Sequence, residues 1–127
     1  MFDYSQIIEF DRGNFIQIDV ELETTFPIFF GYDIEDQFIE TLKQATRHNS
    51  ADRLFLLTDA FIFDHFGEPF FNKLKQAFSG TDIYLLPRGE TCKTFDVLQK
   101  LCDHLVAKGV SKRSLLIAFG GGSVGNI

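Results

Sequence analysis

The stretch SLLIAFGGGSVGNI, residues 114–127, runs from an apolar segment into four glycines within six residues. A short apolar run bounded by turn residues reads as a strand buried on both faces of a parallel sheet. Gly120, Gly122 and Gly125 then have the GxGxxG spacing, with a helix expected to begin beyond the turn, about at Ile127. Glycines allow a tight turn and a close approach of backbone to a pyrophosphate, whose charge free N–H groups and a helix N-terminus stabilise. The same pattern also serves a turn that only packs a strand closely on a helix, and the strand context favours the first reading.

Working back from that turn, strand and helix patterns alternate. TFDVLQKLCDHLVAKG (94–109) is a helix with Phe95, Leu98, Leu101, Cys102 and Leu105 on one face and Gly109 as its C-terminal cap. DIYLLP (82–87) is a strand, and GEPFFNKLKQAF (67–78) a helix whose start Pro69 marks, with Phe70, Phe71, Leu74 and Phe78 at helical spacing. DRLFLLTD (52–59) is almost continuously apolar, as a strand covered on both faces requires. A helix over 33–47 carries Ile34, Phe38, Leu42 and Ala45 on one side, with Asp33 as N-cap and Glu35 and Asp36 in its first turn. Before it, NFIQIDVEL (14–22) alternates with period two and TTFPIFFG (24–31) follows, which predicts a hairpin with Pro27 at an edge. The expected fold class is therefore α/β: a Rossmann-like parallel sheet with an N-terminal strand pair, breaking off at the glycine turn.

Composition narrows the function classes. The chain has 127 residues, 45% of them hydrophobic, enough for one domain with a real core. Its 16 Phe and no Trp read as core filling. A net charge of -6 argues against nucleic acid or an anionic membrane as the main partner. Cys92 and Cys102 form neither a disulfide framework nor a CxxC metal pattern. The acidic N-terminus does not resemble a signal peptide and no 18-residue apolar span occurs, so a cytoplasmic location is expected.

Three strand ends carry the candidate chemistry. Asp59 closes the 52–59 strand, where a carboxylate can accept from ribose hydroxyls or cap the next helix. Glu90 and Lys93 in LPRGETCKT (86–94) can hold two hydroxyls of one sugar or form a solvent-exposed pair, with Thr91 or Thr94 capping. The third is the glycine turn. The C-terminal ends of parallel strands converge on one edge, so all three can line a single crevice. Asp64, His65 and Glu68 in FDHFGE read as surface or helix-start residues rather than a metal site, and Cys92 as a spectator.

The order TDA (58–60), LPRGETCKT, a helix and RSLLIAFGGGSVGN (113–126) resembles the N-terminal half of the dehydroquinate synthase-like family of sugar phosphate cyclases. The resemblance covers roughly residues 14–127 and is most specific in Gly89, Glu90 and Lys93 followed by the triple glycine. It implies that NAD is bound here, with Asp59, Glu90 and Lys93 near the adenosine ribose and Gly121, Gly122, Ser123 and Asn126 around the pyrophosphate. Asn126 stands where dehydroquinate synthases usually carry Asp, as 2-deoxy-scyllo-inosose synthases do, and Phe61 where a polar residue is common. The resemblance further implies oxidation, phosphate elimination, reduction and aldol ring closure of a sugar phosphate substrate, in the shikimate pathway or in aminocyclitol biosynthesis. It places a divalent metal, zinc or cobalt, in a C-terminal helical domain outside residues 1–127, which form the NAD-binding domain. On that basis these residues alone are expected to bind NAD weakly and to be inactive. A homodimer pairing through FPIFFG (26–31) is a further expectation, and a non-catalytic nucleotide-binding module is the rival reading.

Overall fold

The computed structural model describes residues 15–21, 25–49 and 51–127. The chain divides into two compact units, Met1–Thr41 and Leu42–Ile127. The first contains strands β1 (Phe15–Glu21) and β2 (Thr25–Gly31), paired antiparallel with Ile18 opposite Ile28 and Asp19 opposite Pro27. In a two-stranded sheet each strand is an edge, which accommodates a residue that has no N–H to donate. Helix α1 (Glu35–Asn49) begins in this unit. Its cap differs from the sequence expectation. Asp33 has φ 53, a left-handed conformation foreign to an N-cap, and the Ile34 carbonyl accepts the first helical bond from the Phe38 N–H at 2.9 Å. Ile34 therefore holds the cap position, and Asp33 forms the turn before it.

The second unit is built on a parallel sheet of order β4-β3-β5, from β3 (Leu54–Asp59), β4 (Thr81–Leu86) and β5 (Leu115–Ala118). All six residues of β3 are buried, as its unbroken apolar run requires of a central strand. Truncating Leu56 to Ala would cost about 2–5 kcal/mol by leaving a cavity. β5, expected to be buried on both faces, alternates instead between half-buried and exposed residues, with Leu116 at 51%. It lies at the edge of the described sheet, so only one of its faces is covered.

Between β3 and β4 the helical run starts earlier than Pro69 suggests. α2 (Ala60–Ile62) follows β3 at once, π-helical winding occupies Phe63–Gly67, and α3 (Glu68–Ala77) follows with Pro69 in its first turn. His65 thus lies inside a helical run. Its Nδ1–H donates to the Phe61 carbonyl at 2.7 Å, and its ring lies 4.1 Å from that of Phe61. Phe70 and Leu74 are the buried positions of α3, and the Phe70 ring stacks on Phe119 with centroids 5.0 Å apart.

A 3₁₀ turn (Gly89–Cys92) and α4 (Phe95–Ala107) lead from β4 towards β5. α4 is turned relative to the expected face: Val97 and Leu101 are buried with Leu105 packed beside them, whereas Phe95 is 92% exposed and Leu98 and Cys102 are exposed as well. Both sets recur at helical spacing, and the sheet selects the one spaced by four residues. The helix ends as anticipated, with Gly109 at φ 76 and its N–H bonded to Val106 O while Val110 N–H reaches Leu105 O, a Schellman arrangement. Among the described residues no helix is long and apolar enough to cross a membrane.

Candidate functional site at the strand ends

Because β3 pairs with β4 on one side and β5 on the other, the chain leaves β3 in one direction and returns beyond it. Ligands of open α/β sheets bind where the strand order reverses in this way, at the carboxyl ends of the strands. Asp59 and the glycine turn flank that point.

At the end of β3, the Asp59 side chain is 4% exposed and its Oδ1 accepts the Ile62 N–H at 2.8 Å, capping α2. Of the two roles open to it in the sequence, the capping role is present here. At the end of β5, the helix expected near Ile127 has already begun: α5 (Gly122–Gly125) starts from Gly121 as N-cap, with Val124 and Gly125 N–H groups bonded to Gly121 O at 3.1 Å. The first N–H groups of a helix have no partner within it, and in α5 those are the N–H groups of Gly122 and Ser123.

The four glycines of the turn differ in their reasons for being glycine. Gly120 has φ 157, and a Cβ there would lie 2.8 Å from Val124 Cγ2 and 3.0 Å from Ile62 Cδ1. Its role is close packing of β5 on α2 and α5. At Gly121 and Gly125 a Cβ would meet nothing within 4 Å, and at Gly122 only Asn126 Nδ2 at 3.8 Å. Among the described residues none fills the space beside these three. They form an open cradle that side chains would occupy.

The GETC turn at the end of β4 lies against this cradle. Gly89 supplies a left-handed residue at φ 69, and Arg88 stacks on Phe61 with Cζ 4.1 Å from the ring centroid, tying the ends of β4 and β3 together. Lys93 Nζ and Glu90 Oε2 pair at 3.1 Å, with the Lys93 side chain 37% and the Glu90 side chain 78% exposed. Thr94 Oγ1 caps α4 by accepting the Val97 N–H at 3.2 Å. An ion pair this exposed adds little to stability, so its presence here is not explained by the fold. Lys93, Thr94, Phe95, Leu98, Asn126 and Ile127 line a hollow of about 260 Å³.

The structure therefore brings Lys93 and Asn126 to one hollow, sets Gly122 beside Asn126, and leaves Glu90 on the solvent side of Lys93, while Gly121 and Ser123 are not among the residues that line the hollow. Asp59 lies beneath as a cap. Cys92, read as a spectator, is 1% exposed, belongs to the core cluster with Leu57, Leu86, Val97, Leu101 and Val124, and its thiol donates to the Ser123 carbonyl at 3.0 Å. No sequence signal pointed to this contact, which joins residues 31 positions apart. Phe95 and Leu98 were assigned to packing on helical spacing alone, and they line the hollow instead.

A parallel α/β sheet with a glycine turn at its switch point places the second unit among the Rossmann-like α/β folds. Residues 83–127 match the family described as "3-dehydroquinate synthase N-terminal". Proteins named 3-dehydroquinate synthase align along most of the chain: 33% identity over 114 residues in Thermoanaerobacter sp., covering 90% of this chain and 31% of that one; and 31% over 102 residues in Lysinibacillus sphaericus, covering 80% and 27%. A third, from Crocosphaera subtropica, is 33% identical over 85 residues, covering 67% of this chain and 23% of its own. The chain corresponds to the N-terminal part of the 3-dehydroquinate synthase family. It spans about a third of the length of the relatives it matches.

Proposed function

We propose that this chain supplies the NAD-binding part of a 3-dehydroquinate synthase-type sugar phosphate cyclase. The observation that carries the reading is the cradle of Gly121, Gly122 and Gly125, where no close contact among the described residues explains the missing side chains, with Lys93 and Asn126 together in one hollow. The residues fit the cofactor: the N–H groups of Gly122 and Ser123, which have no partner within α5, suit a pyrophosphate, and the Lys93 ammonium balances its charge. The amide of Asn126 puts no negative charge beside that anion. In this reading Glu90 accepts from ribose hydroxyls and Lys93 donates to them, which the pairing of the two side chains at 3.1 Å supports. Asp59 keeps the exit of β3 fixed under the ribose through its cap on α2.

When bound, NAD would supply a reversible hydride acceptor for a hydroxyl of the sugar phosphate. The residues described here bind and orient it. Among them no group of three or more His, Cys, Asp or Glu is placed to hold a metal ion, so a divalent metal serving this chemistry would take its ligands elsewhere.

Calorimetric titration of NAD into the intact protein tests the reading. The wild type should bind, and Gly122→Val should lose at least about tenfold in affinity at a nearly unchanged melting temperature. Its φ is not left-handed and its surroundings are open, so the new side chain fills the cradle rather than straining the fold. A Gly122→Val protein with wild-type affinity would show the turn to be a packing element only.

A further inference from the structure

Cys92 hydrogen-bonds the turn at the end of β4 to the turn at the end of β5. Its thiol donates to the Ser123 carbonyl, 31 positions away in sequence, from inside an apolar cluster that also holds Val124. The last carbonyls of a helix find no partner within it, so a donor from outside is needed for α5, and Cys92 is that donor. Immediately beyond Cys92 stands Lys93, and three residues beyond Ser123 stands Asn126. Both line one hollow.

Lys93 belongs to the turn at the end of β4 and the cradle to the turn at the end of β5, with β3 between the two strands. The spacing of cation and cradle is therefore not set by strand pairing between β4 and β5. It is set where the turns meet above β3. We propose that Cys92 is the positioning residue of the nucleotide site: its thiol fixes the glycine turn against the Glu90–Lys93 turn, so that Lys93 stands at the right reach from the cradle. This rests on the nucleotide reading above and deepens it.

The test compares Cys92→Val, which fills the volume without a donor, with Cys92→Ser, which keeps a donor, in the intact protein. NAD and ADP affinities are measured by calorimetry alongside melting temperatures. Cys92→Val should bind both nucleotides about three- to tenfold more weakly, the range of one lost hydrogen bond, while Cys92→Ser stays within about twofold of wild type. Wild-type affinity in Cys92→Val, or equal losses in the two variants, overturns the proposal. If Cys92→Val does not fold, Cys92→Ala replaces it in the same comparison. Amide hydrogen exchange without nucleotide separates this proposal from the reading it rests on. Exchange across residues 120–126 should rise in Cys92→Val and not in Cys92→Ser, and unchanged exchange overturns the positioning role. A wild type that binds neither NAD nor ADP while showing that pattern removes the nucleotide reading and leaves the coupling of the turns standing.

Discussion

The two ends of the β4-β3-β5 sheet carry hollows of nearly equal size, about 260 Å³ at the carboxyl ends of the strands and about 280 Å³ at the amino ends. At the amino end the polar groups satisfy one another. The Asp52 carboxylate accepts from the hydroxyls of Ser111 and Ser114, and a Cβ on Gly80 would come within 3.2 Å of the Asp52 carbonyl. Gly109 is needed there for its left-handed cap on α4. At the carboxyl end, three glycines face open space and an exposed ion pair has no structural task. The volume of a hollow thus says little about function. Residues whose identity the fold leaves unexplained say more.

The largest effect that sharpens this contrast is expected at Lys93. Lys93→Ala should weaken NAD binding by about 1.5–3 kcal/mol, the loss of a charge-assisted contact. Lys100→Ala is the control, because Lys100 also holds an exposed ion pair, to Asp96 at 2.7 Å, but stands on the flank of α4. Equal dissociation constants for the two variants, measured by calorimetry, would erase the distinction between the pairs.

A smaller effect divides the glycines within the carboxyl end itself. Gly120→Ala should lower stability by about 1–3 kcal/mol through its clash with Val124 and Ile62. Gly121→Ala, with φ -82 and open surroundings, should stay within about 0.5 kcal/mol of wild type. Urea unfolding reads both. Matching losses would mean that the cradle is closed by packing after all.

The smallest effect lies at the amino end and depends on pH. The Ser111 hydroxyl, with Ser114 and Arg113 adding to it, holds the Asp52 carboxyl below its ordinary value of 3.8. A carboxyl depressed in the folded state contributes stability above its unfolded pKa and loses it as pH falls through the folded one. The contribution should therefore fade below about pH 4. Asp52→Asn should shrink the drop in melting temperature between pH 7 and pH 3, and an unchanged drop would show the loop tie to be electrostatically idle.

Much of this was legible in the chain itself, because it is written in neighbouring residues. The unbroken run of 54–59 required a central strand, the period of two over 15–21 an outlying hairpin, and SLLIAFGGGSVGN a strand entering a glycine turn. Two helix caps were local as well: Thr94 caps α4 with its hydroxyl, and Gly109 ends it through a left-handed backbone. Asp33 did not cap α1, since the chain entered that helix through a left-handed residue and gave the cap position to Ile34. Other features depended on partners far away in sequence. Leu101 and Leu105 of the expected α4 face pack in the core, and only contact with the sheet could choose Val97 to join them in place of Phe95 and Leu98. The glycines of one turn look alike as letters, yet Ile62, brought close by the β3–β5 pairing, makes Gly120 a packing residue while its neighbours face open space. Cys92 had no local sign of its task, because a thiol acquires a bond to the Ser123 carbonyl only when two strand ends are folded onto one edge.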